Sequence, residues 1–244
     1  MKKFFTMAAI ALAAVAMVSC DKNSGKEEET KETKRITAMS TDSEFKGGYT
    51  FTYNEEGKLS AVNEVWGVGT EDEGSYAVEV TVDGNNLTFG SEATCTLGSN
   101  GFVQTLVKGE KTWTLAYNKD NQITTMTCGE EVITNEYDEN GNLVKYTTPE
   151  GRYKEQTYDL RSKNWSNTFT TFYEDGPIKR WMYETGYFGM SSKNLCLTTK
   201  WGDSESTKTY EYKMDDWGYI TEETMYYNGE WDWAYYYKWE TIKK

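Results

Sequence analysis

Histidine is absent from the 244 residues, and proline occurs only twice. Without histidine there is no Ser-His-Asp or Cys-His catalysis, no His-ligated zinc and no ordinary general base near neutral pH. So few prolines, with almost no helical periodicity past the first 19 residues, predict scarce helix and long uninterrupted pairing. Cysteine is sparse: Cys20, Cys95, Cys128 and Cys196. Setting Cys20 aside leaves an odd number and no disulfide framework, and whether any two of the other three pair stays open. Positive charge is also short, with 26 Lys and Arg against 39 Asp and Glu. A net charge of −13 excludes nucleic acid as a partner, because phosphate binding needs clustered Lys and Arg. No Gly-Lys-Ser/Thr phosphate loop occurs, and Gly67-Val-Gly69 lacks the third glycine of a dinucleotide fingerprint, so no cofactor is implied.

The first residues speak for export. Two lysines precede an apolar run from Phe4 to Val18, too short for a membrane-spanning helix, which needs about 20 residues. The end of that run, Met17-Val18-Ser19-Cys20, resembles a bacterial lipobox, with Met17 in place of the usual leucine. The resemblance implies lipidation of Cys20, a signal peptide over 1–19, and attachment to the bacterial outer membrane by the lipid alone. Residues 20–35 then read as a flexible tether: past Cys20 they carry no aliphatic or aromatic side chain whose burial offsets the cost of ordering. Lys26-Glu-Glu-Glu29 is similar to acidic signals for surface display and equally a solvated spacer, so periplasmic and surface orientations both stand. Because the tether is neutral, loss of Lys2 and Lys3 leaves −15 on a single domain over 36–244.

That domain repeats a cadence. Tyr53-Asn-Glu-Glu-Gly57-Lys-Leu59, Tyr117-Asn-Lys-Asp-Asn121-Gln-Ile123, Tyr137-Asp-Glu-Asn-Gly141-Asn-Leu143 and Met214-Asp-Asp-Trp-Gly218-Tyr-Ile220 share one spacing, and Tyr173-Glu-Asp-Gly176-Pro-Ile178 is one residue shorter. Alternating runs such as Tyr49, Phe51, Tyr53 lead in with the period of a half-buried strand. Asn121 stands where other copies have glycine, and asparagine tolerates a left-handed backbone best after glycine. Each unit is therefore a β-hairpin whose turn closes on a positive-φ residue: Gly57, Asn121, Gly141, Gly176 and Gly218. With Val82 to Leu87 as a further hairpin, the spacing predicts an all-β antiparallel meander of about 10 to 14 strands.

The Tyr137 copy is similar to the Tyr-Asp-x-x-Gly-x-Leu core of the YD repeats of Rhs-type proteins. Over a longer span, the lipobox, tether and hairpins together resemble a family of unknown function among exported bacterial lipoproteins with a porin-like β fold. The resemblance implies a porin-like β fold and no catalytic residues, and the residues themselves read as a soluble porin-like barrel or a large curled sheet. A membrane-crossing barrel is disfavoured because strand 230–240 puts charge on one face and aromatic rings on the other, leaving no apolar lipid-facing band.

Chemistry is thinly marked. Asp138, Asn140 and Asn142 imitate the start of a calcium loop but lack its sixth-position glycine and twelfth-position glutamate, so no metal site is expected. Same-face acids two apart, Asp203 with Glu205 or Glu230 with Asp232, would lie about 7 Å apart, within the range of inverting glycosidases. A carboxylate-based glycoside hydrolase is thus the alternative to a non-catalytic binding or scaffold module for a glycan or envelope protein. Tryptophans supply the candidate contacts. Trp217, inside a turn, is expected exposed, with Trp201 and Trp181 beside it as ligand-binding candidates, while Trp231, Trp233 and Trp239 at strict alternation are expected in the core.

Overall fold

A computed structural model describes residues 33–169, 176–202 and 204–242. The expected signal helix, Cys20 and most of the tether lie outside the described residues. Lys34 and Arg35, assigned above to the tether, already belong to the first strand: Lys34 Nζ meets Asp215 Oδ2 at 2.7 Å and Arg35 Nε meets Glu240 Oε1 at 2.5 Å.

Sixteen strands follow in meander order. They are β1 (Lys34–Ser40), β2 (Gly48–Tyr53), β3 (Leu59–Trp66), β4 (Gly74–Asp83), β5 (Asn86–Phe89), β6 (Ala93–Leu97), β7 (Val103–Lys108) and β8 (Lys111–Tyr117). The second half is β9 (Ile123–Cys128), β10 (Glu131–Tyr137), β11 (Leu143–Thr147), β12 (Tyr153–Lys163), β13 (Asn194–Trp201), β14 (Thr207–Met214), β15 (Ile220–Tyr227) and β16 (Glu230–Thr241). Every strand pairs antiparallel with the next, and β16 returns to β1 in the register Met39 with Tyr237, closing a barrel. Closure, the outcome left open above, removes every sheet edge. The count exceeds the expected 10 to 14 because several turns carry weak signals, such as the pair Gly109-Glu110, and Gly98, which holds the Asn or Asp position of the cadence.

The cadence has a mechanism. In turn 54–58 the Asn54 N–H bonds the Lys58 carbonyl at 2.8 Å, the Gly57 N–H bonds the Asn54 carbonyl at 2.8 Å, and the Asn54 Oδ1 accepts from Lys58 N at 2.9 Å. Turns 118–122, 138–142 and 215–219 repeat these bonds with Asn118, Asp138 and Asp215 as acceptors. Gly57, Asn121, Gly141 and Gly218 take φ of 76°, 59°, 78° and 82°. Register shifts sit beside these turns, next to Tyr53, Tyr117, Tyr137 and Met214, and such bulges add the twist that curls a sheet into a barrel. The tyrosine also has a task. Tyr53, Tyr117 and Tyr137 each send a hydroxyl to a carbonyl of the preceding strand, that of Ile36 at 2.8 Å, Val103 at 2.7 Å and Ile123 at 3.0 Å. Tyr158 and Tyr212 do the same to Leu143 and Cys196, and Trp239 Nε1 substitutes for the phenol at Ile220, 2.7 Å away.

Gly176 departs from the pattern. No strand lies between β12 and β13 among the described residues, and Gly176 leads into a single helical turn, α1 (Arg180–Tyr183). The physical reason is visible around it: Ile178, Trp181, Met182 and Tyr183 are all buried, so this segment is drawn into the core instead of pairing as a hairpin.

The two faces of the wall differ. In β6, Ala93, Cys95 and Leu97 are buried while Thr94 and Thr96 are exposed. Apolar side chains such as Phe51, Val62, Leu87, Phe89, Leu106, Met126 and Ile133 share one core, each contributing on the order of 1.5–3 kcal/mol on burial. Outside, threonines face one another from strand to strand, as in the hydroxyl pairs Thr81–Thr88 and Thr157–Thr198, with Lys and Glu between them. The barrel is largely apolar within, apart from buried polar groups such as Lys154, Gln156 and Glu223, and largely polar without, with scattered exposed aliphatics such as Val82, Val107, Val132 and Leu197.

Candidate functional site

The lumen is filled by the chain itself. The connection between β12 and β13 enters at the end of the barrel where β1 begins, here the near end. Lys108, last in β7, gives its ammonium to the Pro177 carbonyl at 3.1 Å, whereas Val103, first in β7, bonds the Tyr187 carbonyl at 2.9 Å. The connection therefore spans the height of β7 inside the barrel, as a plug. Trp181 packs edge-on to Phe89 with centroids 5.5 Å apart, and Tyr183 stacks on Phe169 at 4.6 Å.

On the β15–β16 side the plug meets the wall through charge. Arg180 Nη2 lies 2.9 Å from Glu223 Oε2 and 2.5 Å from the Tyr237 hydroxyl, and its guanidinium covers the Tyr235 ring at 3.8 Å. The Tyr237 hydroxyl is also 3.1 Å from Glu223 Oε2. Burial raises the Glu223 carboxyl, with Arg180 and the tyrosine pulling the other way. One turn on, Glu184 accepts the Phe169 N–H at 3.2 Å. Burial lifts its carboxyl to about 7, against the attraction of Arg180 and with a push from Glu223. Two carboxylates in unlike environments can divide acid and base roles, but here Arg180 and Glu184 belong to the plug that covers the wall. The chemistry of the cluster is that of a fastening.

The near-end turns hold the plug's return. Gln122 and Asn142, fully buried and each just past a positive-φ residue, bond into it: Gln122 Nε2 donates to the Ser191 carbonyl at 2.9 Å, and the Asn142 Oδ1 accepts from Asn194 N at 2.9 Å. Met190 N bonds the Asn121 carbonyl at 2.9 Å. Sequence reading missed this second role. The only signal was a polar residue in a place from which it turns inward.

The predicted tryptophans do not converge. Trp181, expected to contact ligand, is 2% exposed in the lumen. It is corrected to a core residue because the segment carrying it became the plug. Trp201 is half-buried at the far rim, with Arg152 and Lys154 at 4.4 and 4.6 Å over its ring. Trp217 stands in turn 215–219 at the near end, partly buried. Trp233 and Trp239 face inward, but Trp231, expected in the core, is 66% exposed. A bulge makes Tyr226 pair with Trp231 after Met225 pairs with Trp233, so Asp232 is the extra residue and Trp231 is turned to the outer wall. The same bulge breaks the expected face-sharing of Glu230 and Asp232. Asp203, of the other acid pair, lies outside the described residues. Cys95, Cys128 and Cys196 are all free thiols, and burial pushes those of Cys95 and Cys196 up to about 12. Among the described residues no group of acids and cysteines is arranged to hold a metal ion.

No protein-family model and no curated protein matches this sequence. Among solved structures the chain is similar to a porin-like protein from Bacteroides uniformis, with 20% identity over 80% of this chain and 90% of that one and a TM-score of 0.63. At that identity the likeness establishes the fold: an all-β closed barrel of porin-like type.

Proposed function

We propose that this protein is a lipid-anchored binding or scaffold module of the bacterial cell envelope, held to the outer membrane through Cys20, and neither a channel nor an enzyme. The observation that carries the reading is the occupied lumen inside a polar wall. A conducting membrane barrel has a polar, open interior and an apolar exterior; this one packs Phe89, Met182 and Phe188 within, and outside it presents threonines such as Thr94 and Thr96 and charges such as Glu136 and Lys145, with only scattered exposed aliphatics such as Val107 and Val132. Lipid contact along such a wall would strand hydroxyls and charges in hydrocarbon. The barrel supports an outer surface that meets water and partners, with the lipid supplying the membrane hold.

Metabolic labelling with a clickable palmitate, followed by sodium carbonate extraction, tests the anchor. Label on the wild type that disappears in Cys20→Ala, with the variant released to the soluble fraction, is the expected result. A protein that stays in the membrane without label, or that conducts ions in a planar bilayer, overturns the reading.

A further inference from the structure

The outer wall is mostly threonine and charge with single exposed aliphatics such as Val82, Val107, Val132 and Leu197, and at its far end β15 and β16 carry a group of aromatic rings. Trp231 is the most exposed large apolar side chain among the described residues. It would be buried by simple alternation; the bulge at Asp232 turns it out. Tyr226 is its cross-strand partner, with the hydroxyl held 3.1 Å from Glu211 Oε2. Farther along the same face of β16 come Ala234, only 4% exposed, and then Tyr236, so a small residue lies between rings.

The pairing row continues sideways from Tyr226 to Thr209, Thr198 and Thr157. From β16 to β12 this is four strand spacings, about 19 Å. A second feature borders the strip. Phe45, in the loop between β1 and β2, has φ of 56°, a conformation costly for a bulky side chain, and its ring lies 3.9 Å from the Lys238 ammonium on this same face. The Asp42 carboxylate holds that loop by accepting from Glu44 N and Lys46 N, both at 3.0 Å.

We propose that this strip binds a neutral glycan, with Trp231 as the ring on which a sugar stacks. The proposal rests on the binding-module reading and names its surface and ligand class. Aromatic faces attract the apolar C–H side of a sugar, and threonine hydroxyls and carboxylates accept or exchange hydrogen bonds with its hydroxyls. Glu211 and Asp232 border the strip, and on a chain of net charge −13 they disfavour phosphate, sulfate and uronate, while Glu222 is held in an ion pair with Lys213 at 2.8 Å. Threonine hydroxyls along the row and charges at its borders leave too little continuous apolar surface for the core of a protein interface.

The test uses the mature lipidated protein in detergent and isothermal titration with cellohexaose, xylohexaose, mannohexaose and maltohexaose, with hyaluronan hexasaccharide as the anionic probe. At least one neutral hexasaccharide binds saturably. Trp231→Ala weakens that binding tenfold or more, Trp231→Phe restores part of it, and Trp217→Ala leaves it unchanged. Circular dichroism melts of the variants confirm the fold. Neutral binding indifferent to Trp231→Ala overturns this surface and leaves the module reading intact. Binding of hyaluronan alone, or crosslinking through position 231 to a protein with no sugar bound, overturns the ligand class. Silence toward all the neutral probes overturns the proposal, while the labelling result for Cys20 still decides the anchor independently.

Discussion

Arg180 and Glu223, 43 residues apart in sequence, meet at 2.9 Å in the barrel lumen, one on the plug and one on the wall. Both side chains are almost wholly buried, so neither charge is hydrated, and removing one partner strands the other. Arg180→Met is expected to destabilise the protein by about 3–5 kcal/mol. The double variant Arg180→Met, Glu223→Gln should recover part of that loss, since the stranded carboxylate is gone. Urea denaturation of the two singles and the double gives the coupling energy. A coupling near zero would mean that the pair does not fasten the plug.

Glu184 sets a pH dependence. Its carboxyl titrates near 7 in the folded protein against an ordinary value of 4.5. A carboxyl with a raised folded pKa holds its proton more tightly when folded, so its contribution to stability is fullest below about 4.5 and is lost as pH rises to about 7. The loss is up to about 3 kcal/mol across that window. Glu184→Gln, which can still accept the Phe169 N–H, should flatten the melting temperature between pH 5 and 8 and raise it at pH 8. Parallel pH profiles for variant and wild type would reject this assignment.

Much of the barrel was legible in the sequence because its turns are chemically marked. The spacing from Tyr137 through Asp138 to Gly141 specifies a strand end, an acceptor for turn N–H groups and a left-handed residue, all local matters. Closure was not legible, since the pairing of β1 with β16 joins residues some 200 positions apart and no local pattern encodes it. The plug was misread for a related reason. Tyr173 through Ile178 has the cadence, but it is followed by Trp181, Met182 and Tyr183, whose burial inside a closed barrel outweighs the turn signal. Trp231 was misplaced by one bulged residue, because strict alternation assumes an unbroken ladder.

The tyrosine hydroxyls make a prediction that spans the repeat. Tyr137→Phe removes the donor to the Ile123 carbonyl while keeping the ring. A loss of about 0.5–1.5 kcal/mol is expected. Tyr117→Phe should cost a similar amount, and the two losses should nearly add if each bond serves its own hairpin. Chemical denaturation of the singles and the double decides. Losses within error of zero would mean that other donors suffice, the Asn135 amide at 2.7 Å for the Ile123 carbonyl and water for that of Val103.

Glycines at positive φ should not respond alike, and the contrast measures how firmly the plug is seated. At Gly57, φ 76°, an added Cβ approaches only the Arg35 guanidinium, at 3.3 Å, a flexible neighbour. Gly57→Ala is therefore expected to cost about 1–2 kcal/mol, the strain of a left-handed alanine. At Gly189, φ 87°, the same methyl would lie 2.3 Å from the Asn121 carbonyl oxygen and 2.9 Å from the Tyr117 ring. That carbonyl accepts the Met190 N–H, so it cannot yield without loosening the plug from turn 118–122. Gly189→Ala should cost clearly more than Gly57→Ala and raise amide exchange at Met190 and Val103, the two N–H groups that tie plug to wall there. Equal costs, with exchange unchanged, would show that the return of the plug gives way freely.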